Sequence, residues 1–280
     1  MSQSKENFVD LHTHSNYSDG AFSPAELIRR ASKAGLRAIA LTDHDTIDGL
    51  KDAAEAAKAA GIEFVPGVEI SAAEEGRELH ILAYYPVERN QLKSALSELK
   101  ADRHNRMRKM VSLLQGMKMK IEYSDLENEA GGAAPGRMHL ARLLVRKRYV
   151  HTVEEAFTLY LKRGREAYVP RKTFSVPQTL ELIISAGAVP VIAHPKNGGA
   201  VLIKELAALG LQGVEAYHPE HDAAKAECYS SLAREMGLLV TGGSDYHGAE
   251  GSPLSDYPIK RAVPYSFLEE IKKRKQTLIR

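Results

Sequence analysis

Nine histidine, aspartate and glutamate residues are spaced along this chain in a pattern that suits metal chemistry. His12 and His14 form a His-x-His pair, and Asp245 and His247 repeat the i, i+2 spacing far downstream. In an extended segment that spacing puts both side chains on one face. Between the pairs come Asp19, in a loop ending at Gly20, then His44 within Asp43-His44-Asp45, Glu69, His80 and His194. Imidazoles and carboxylates are ligands of Zn, Mn and Fe(II), and a set without thiolate leans away from a structural zinc site. One ion takes about four to six ligands, so nine imply more than one ion. Ions about 3.5–4 Å apart suit phosphoryl transfer, because they can hold an attacking hydroxide, polarise phosphorus and neutralise the leaving oxygen.

Taken singly, each of these histidines would more commonly be a hydrogen-bonded or surface residue. The elements that position them change that reading. Short apolar runs predict strands over 8–12, 37–42, 62–70, 78–84, 189–193, 213–217 and 238–241. Helical stretches separate many of them. One opens at Ser23-Pro24-Ala25-Glu26, a capping box with Pro at the first helical position, and another is closed by Gly61. Alternation of this kind predicts parallel βα units, in a barrel or a heavily wound sheet. Such folds collect their active sites at the C-terminal ends of strands. The candidate residues lie at or near those ends, in separate strands.

Between 101 and 172 the alternation fails. Helical patterns over 138–148 and 153–162 have no strand between them, which predicts a helical insertion (cap) subdomain. The barrel is then expected in two parts, 1–100 and 173–280. The whole chain carries 38 Lys or Arg and 36 Asp or Glu, but residues 100–172 hold 17 basic against 8 acidic residues. No run of about 18 apolar residues suggests a membrane span. The N-terminus lacks the apolar stretch of a signal peptide, and the single Cys228, expected in a core, excludes an internal disulfide. A cytoplasmic location is therefore expected, with no obligate protein partner evident.

The quoted segments closely resemble a known superfamily. Val9-Asp10-Leu11-His12-Thr13-His14-Ser15, Ser18-Asp19-Gly20, Leu41-Thr42-Asp43-His44-Asp45, Gly67-Val68-Glu69, Ala193-His194-Pro195 and Gly243-Ser244-Asp245-Tyr246-His247 are similar, in order, to the motifs of the PHP (polymerase and histidinol phosphatase) superfamily. The resemblance implies an α/β fold, a distorted seven-stranded (β/α)7 PHP barrel. It also implies a trinuclear centre of divalent ions, Mn foremost, with Fe or Zn as alternatives. His12, His14, Glu69 and Asp245 would hold the first ion, Glu69, His80 and His194 the second, and Asp19, His44 and His247 the third. Asp19, His44, Glu69, Asp245 and His247 would carry catalysis. The insertion and Gly136-Arg137-Met138-His139 resemble the stand-alone branch of 3′,5′-nucleotide bisphosphate phosphatases and 5′→3′ exoribonucleases.

Arg137, Arg171 and Lys172 are the expected phosphate contacts. Arg137 follows a Gly-rich loop and opens a helix, where a guanidinium and free N–H groups can converge on an anion. His218 and His221 follow the strand 213–217 and could supply a general acid or hold a nucleoside. Asp43 and Asp45 are expected to orient imidazoles. The expected function is a metal-dependent phosphoesterase, in which a metal-bridging hydroxide attacks 3′,5′-bisphosphonucleotides, nucleoside monophosphates or the 5′ ends of short RNA. The alternatives are a histidinol-phosphate phosphatase, or a nucleic-acid-binding module without turnover. The partner in either enzyme reading is a phosphorylated small molecule or short nucleic acid.

Overall fold

A computed structural model describes residues 8–278, apart from 75–76, 88–89, 197–198, 250, 259 and 261. β1 (Phe8–Asp10) is followed by α1 (Pro24–Lys33), where the Ser23 side chain accepts the Glu26 N–H and Pro24 starts the helix. β2 (Ala38–Leu41) leads to α2 (Leu50–Ala60), which ends at Gly61 in the left-handed conformation. β1, β2 and β3 (Glu63–Glu74) pair in parallel, as expected.

β4 (Arg77–Tyr84) departs from that expectation and runs antiparallel to its neighbours. Two residues separate β3 from β4, whereas a parallel crossover needs about a dozen or more. The pair is therefore a hairpin. Its last rung beside β2 is at Pro66, and β3 continues past that rim to Glu74, paired with Arg77.

α3 (Asn90–Gly116) then serves two cores. Its Leu92, Leu96 and Leu99 pack with barrel residues such as Ile70 and Ile81. Met107, Met110, Val111 and Leu114 pack instead with residues of α4 (Tyr123–Ala130) and α5 (Arg137–Arg146), including Leu126, Leu140 and Leu144. At about 1.5 Å per residue, its 27 residues carry the chain out of the barrel without a linker. α6 (Val153–Ala156) runs into a π-helical turn over Phe157–Leu161.

The barrel resumes with β5 (Phe174–Ser175), α7 (Val176–Ser185), β6 (Val189–Ile192), α8 (Gly199–Ala208) and β7 (Gly213–Tyr217). It ends with α9 (Ala223–Glu235), β8 (Leu239–Gly242), β9 (Val263–Pro264) and α10 (Tyr265–Leu278). Among the described residues nine strands form one sheet, ordered β8-β7-β6-β4-β3-β2-β1-β9, with β5 beside β3. The two beyond the seven expected, β5 and β9, are two residues each and too short to leave a periodicity. Val9, Ala38, Val65, Tyr84, Val191 and Leu239, from six strands, meet in one cluster with Leu268 and Ile271 of α10. Cys228, expected in a core, is exposed, because α9 turns Ala226, Tyr229, Ser230 and Ala233 inward instead.

The nearly closed sheet is joined between β1 and β8 by the chain just beyond them. Thr13 bridges Tyr246, and the His14 N–H donates to the Tyr246 carbonyl at 3.0 Å. Buried Asp10 ties the same seam. It accepts the Ser244 N–H at 2.9 Å, the Ser244 hydroxyl at 2.5 Å and the Tyr257 hydroxyl at 2.8 Å. Asp10→Ala leaves those donors unsatisfied and is expected to cost about 2–4 kcal/mol. Urea unfolding of metal-free protein checks this. The midpoint should fall, with a smaller drop for Asp10→Asn.

Candidate metal centre

The strands deliver all nine expected ligands to one place. His12 and His14 leave the end of β1, Asp43 to Asp45 the end of β2, and His194 the end of β6. Glu69 and His80 lie within strands because the β3–β4 hairpin rises past the rim, and Glu69 bridges His44 there. The backbone is bent to suit. Asp45, His194 and Asp245 all have positive φ, at 54°, 29° and 50°, a region that costs a non-glycine residue of order 1–3 kcal/mol. Gly243 permits a close approach, since a Cβ there would sit 2.5 Å from the His12 backbone nitrogen.

Five imidazoles close a ring and a sixth stacks outside it. In order His194, His12, His14, His44 and His80, neighbouring centroids are 5.8, 5.1, 4.6, 5.0 and 5.2 Å apart, the last back to His194, and His247 stacks on His14 at 4.2 Å. Glu69, fully buried, reaches five of them. Its Oε2 lies 3.3 Å from His12 Nε2, 3.3 Å from His14 Nε2 and 3.0 Å from His44 Nδ1. Its Oε1 lies 2.9 Å from His80 Nδ1 and 3.0 Å from His194 Nε2.

Donor spacing matches metal coordination. His12 Nε2 and His14 Nε2 are 3.1 Å apart, and Asp245 Oδ1 is 3.3 and 3.0 Å from them. Ligands about 2.0–2.1 Å from a tetrahedral ion stand at roughly this mutual separation. Glu69 with His12 and His194 makes a second set and Glu69 with His44 and His80 a third, so the expected trio of Glu69, His80 and His194 is divided between two sets that share Glu69. Asp19, His44 and His247 make another with His14, with His247 Nε2 3.2 Å from Asp19 Oδ1. Among the described residues Asp19 Oδ1, His44 Nδ1, Glu69 Oε2 and His80 Nδ1 are buried without a hydrogen-bond partner. Buried polar atoms are rarely left so. Divalent ions fit these residues.

The electrostatics agree. Burial opposes ionisation of Glu69, yet His44, His80 and His12 hold it well below the usual carboxylate range. Burial lowers His14 as well. Hydrogen bonds and charge from Asp245 and Glu69 outweigh that and lift it to about 10. His12 is likewise raised, by Glu215, Glu69 and Asp245 against burial. His44 is pushed down to about 4, chiefly by burial.

One acid at the centre escaped the sequence reading. Glu215, buried in β7, faces His12 Nδ1 at 2.9 Å with one oxygen and accepts the His194 N–H at 2.8 Å with the other. An acid within the apolar run Gly213-Val214-Glu215-Ala216-Tyr217 was the available signal. Asp43 accepts from Ser15 and Ser18, and Asp45 from Ser71, Arg103 and Arg171. Neither hydrogen-bonds an imidazole among the described residues. They brace the loops that carry the ligands.

The expected phosphate contacts divide. Arg137 Nη2 is 3.7 Å and Arg171 Nη1 3.4 Å from Glu78, two residues before His80. Lys172 is exposed and paired with Glu98 at 2.8 Å. His218 joins the centre, with Nε2 3.4 Å from Asp245 Oδ2. His221 does not: its two ring nitrogens face the carbonyls of Ala216 and Pro195, at 2.8 and 3.1 Å, and none is left for a ligand.

A family model for the PHP domain matches residues 10–166. The chain belongs to the PHP domain family. A 5′-3′ exoribonuclease of Haemophilus influenzae is 35% identical to this PHP protein over 245 residues, 85% of this chain and 89% of the relative. A 3′,5′-nucleoside bisphosphate phosphatase of Chromobacterium violaceum is 34% identical over 248 residues, 85% of this chain and 87% of that one. The solved structure of a Bifidobacterium adolescentis protein, assigned as a metal-dependent phosphoesterase, superposes with a TM-score of 0.86 at 28% identity, covering 95% of this chain and 96% of that one. Among the described residues no helix of this PHP protein is long and apolar enough to cross a membrane.

The pKa directions give a test by metal removal. With His12 and His14 raised, the metal-free site holds protons at neutral pH, and ligation requires neutral imidazoles. Loading the chelator-stripped protein with Mn should release protons at pH 7. Calorimetry in buffers of different ionisation enthalpy reads the number. Metal affinity should fall as pH is lowered.

Proposed function

We propose that this chain, a metal-dependent hydrolase of phosphoric esters, acts on nucleotides that carry a second phosphate: 3′,5′-bisphosphonucleotides and the 5′ ends of short RNA. The observation that carries the reading is a guanidinium cluster beside the centre. Arg106, Arg137 and Arg171 surround the Glu78 carboxylate, and Arg106 Nη2 is buried with no hydrogen-bond partner among the described residues. Burial, then the charges of Arg137 and Arg171, lower Arg106 to about 10. Arg171 also reaches Asp45, which Arg103 shares, so two carboxylates face four guanidinium groups and do not neutralise them. An anionic ligand would. A cleft of about 300 Å³, lined by Arg137, His80, His194 and Lys196, opens beside it. The relatives named for bisphosphate and RNA substrates support the same class.

Three ions would be held by His12, His14, Glu69 and Asp245, by Glu69, His80 and His194, and by Asp19, His44 and His247. Bound there, divalent ions, Mn foremost, supply water of lowered pKa and neutralise phosphoryl charge. The chain's own residues do the rest. Arg137, Arg106 and Arg171 grip the second phosphate and so fix the reacting one over the imidazole ring. Glu215 orients His12 so that its Nε2 points inward. His218 Nδ1 accepts the Glu220 N–H at 3.1 Å, which keeps its proton on Nε2, facing the centre. That proton is placed for the departing oxygen.

The alternative, histidinol-phosphate phosphatase, needs one phosphate and leaves the arginine cluster without a task. Phosphate release by Mn-loaded protein separates the two. kcat/KM for 3′,5′-bisphosphoadenosine should exceed that for 5′-AMP and histidinol phosphate by at least roughly tenfold, the worth of one charge-assisted contact. Arg137→Ala should raise KM for the bisphosphate by about 10- to 100-fold. Preference for histidinol phosphate would overturn the proposal.

A further inference from the structure

A second cleft meets the imidazole ring from the opposite side. The first borders His80 and His194. Across the ring from them is His14, and His247, stacked on His14 at 4.2 Å, lines a separate cleft of about 620 Å³. Its other wall is α5, through Met138, Arg142, Val145 and Arg146, with Val153 beside them. Those four positions are i, i+4, i+7 and i+8, one face of a helix. Arg137, on another face of α5, lines the first cleft. One helix thus presents arginines to both openings.

The charged lining holds two guanidinium groups and one carboxylate, Glu129, which leaves a net positive charge for an anion leaving the centre. Arg142 Nη2 lies 3.3 Å from the carbonyl of Asp19, which anchors it beside that carboxylate. Arg146 pairs with Glu129 at 2.8 Å and is 56% exposed at the far end of the same face. Met138, Val145 and Val153 supply apolar surface between them.

We propose that this second cleft holds the nucleotide that follows the scissile phosphate in an RNA substrate. The assignment rests on the nucleotide reading above. Hydrolysis forms a bond from a water oxygen to phosphorus and breaks the bond from phosphorus to O3′, with a proton passing to O3′. In a 3′,5′-bisphosphonucleotide the reacting phosphorus carries no further substituent. In RNA one of its oxygens bears the next nucleoside. With the 5′-phosphate gripped at Arg137, that oxygen points away from the first cleft and into the second. Arg142 and Arg146 then meet the following phosphate, and the apolar side chains meet the base. A site served by one cleft admits only the terminal phosphate. Two opposed clefts admit a chain.

The test uses the Mn-loaded protein with a 5′-phosphorylated trinucleotide and with 3′,5′-bisphosphoadenosine. Arg146→Glu reverses one charge in the cleft. It should lower the ratio of kcat/KM for the trinucleotide to that for the bisphosphate by at least about tenfold. In the wild-type protein, 4-thiouridine at the second nucleotide should photocrosslink within residues 138–153 or at 248–249. An unchanged ratio, or a crosslink to the Lys196 side, overturns the proposal. Wild-type protein that cleaves the bisphosphate but not the trinucleotide overturns it too, and leaves the nucleotide phosphatase reading standing. Protein that cleaves neither overturns both.

Discussion

Glu69 is a carboxylate with no exposure to water and, among the described residues, no positive side chain other than imidazole within reach of its two oxygens. Burying a charge of that kind costs several kcal/mol unless opposite charge is brought to it. Five histidines from four separate strand regions supply the contacts, and the barrel has to converge for them to do so. The convergence explains features that look unrelated. The β3–β4 hairpin overshoots the rim so that Glu69 and His80 stand level with the ends of β1 and β2. His194 and Asp245 adopt left-handed backbone, a cost the surrounding contacts must overcome. Gly243 has no side chain because His12 occupies the space one would need.

The same convergence closes the sheet. β8 and β1 do not pair along their lengths, and the seam is held by Thr13 with Tyr246 and by Asp10 with Ser244 and Tyr257. Apart from Tyr257, the residues that make these contacts lie within two positions of His12, His14 or Asp245. Fold closure and ligand placement therefore share one set of bonds. α3 runs through both cores and so ties the helical layer to the barrel, while α5 lines one cleft with Arg137 and another with Arg142. Under the proposed function, substrate choice is set by that layer without moving the residues of the centre.

Much of this was legible in the sequence. The candidate residues recur at strand ends, so the nine could be named from spacing and motif, and the structure brings all nine together. The alternation of strands and capped helices gave the barrel. What stayed hidden depends on three-dimensional pairing. The antiparallel course of β4 follows from a two-residue connection, and β5 and β9 are too short for any period. Glu215 and Asp10 lie among apolar strand residues, where one acid does not reveal whether it faces a core or a site. Arg106 looks like any other charge on a long helix until Val169, Arg137 and Glu78 close around it. His221 shows the converse, a histidine beside the site whose ring is committed to backbone carbonyls.

In the proposed centre Glu69 would be shared between two metal sites. Metal content of purified protein, measured by mass spectrometry after gel filtration, tests it most directly when wild type is compared with Glu69→Gln. The glutamine keeps the size of the side chain and removes its charge and one of its oxygens. Wild type should hold more than one ion per chain, and the variant should lose more than one while keeping its circular dichroism spectrum. A folded variant that loses a single ion, or none, would contradict the shared carboxylate.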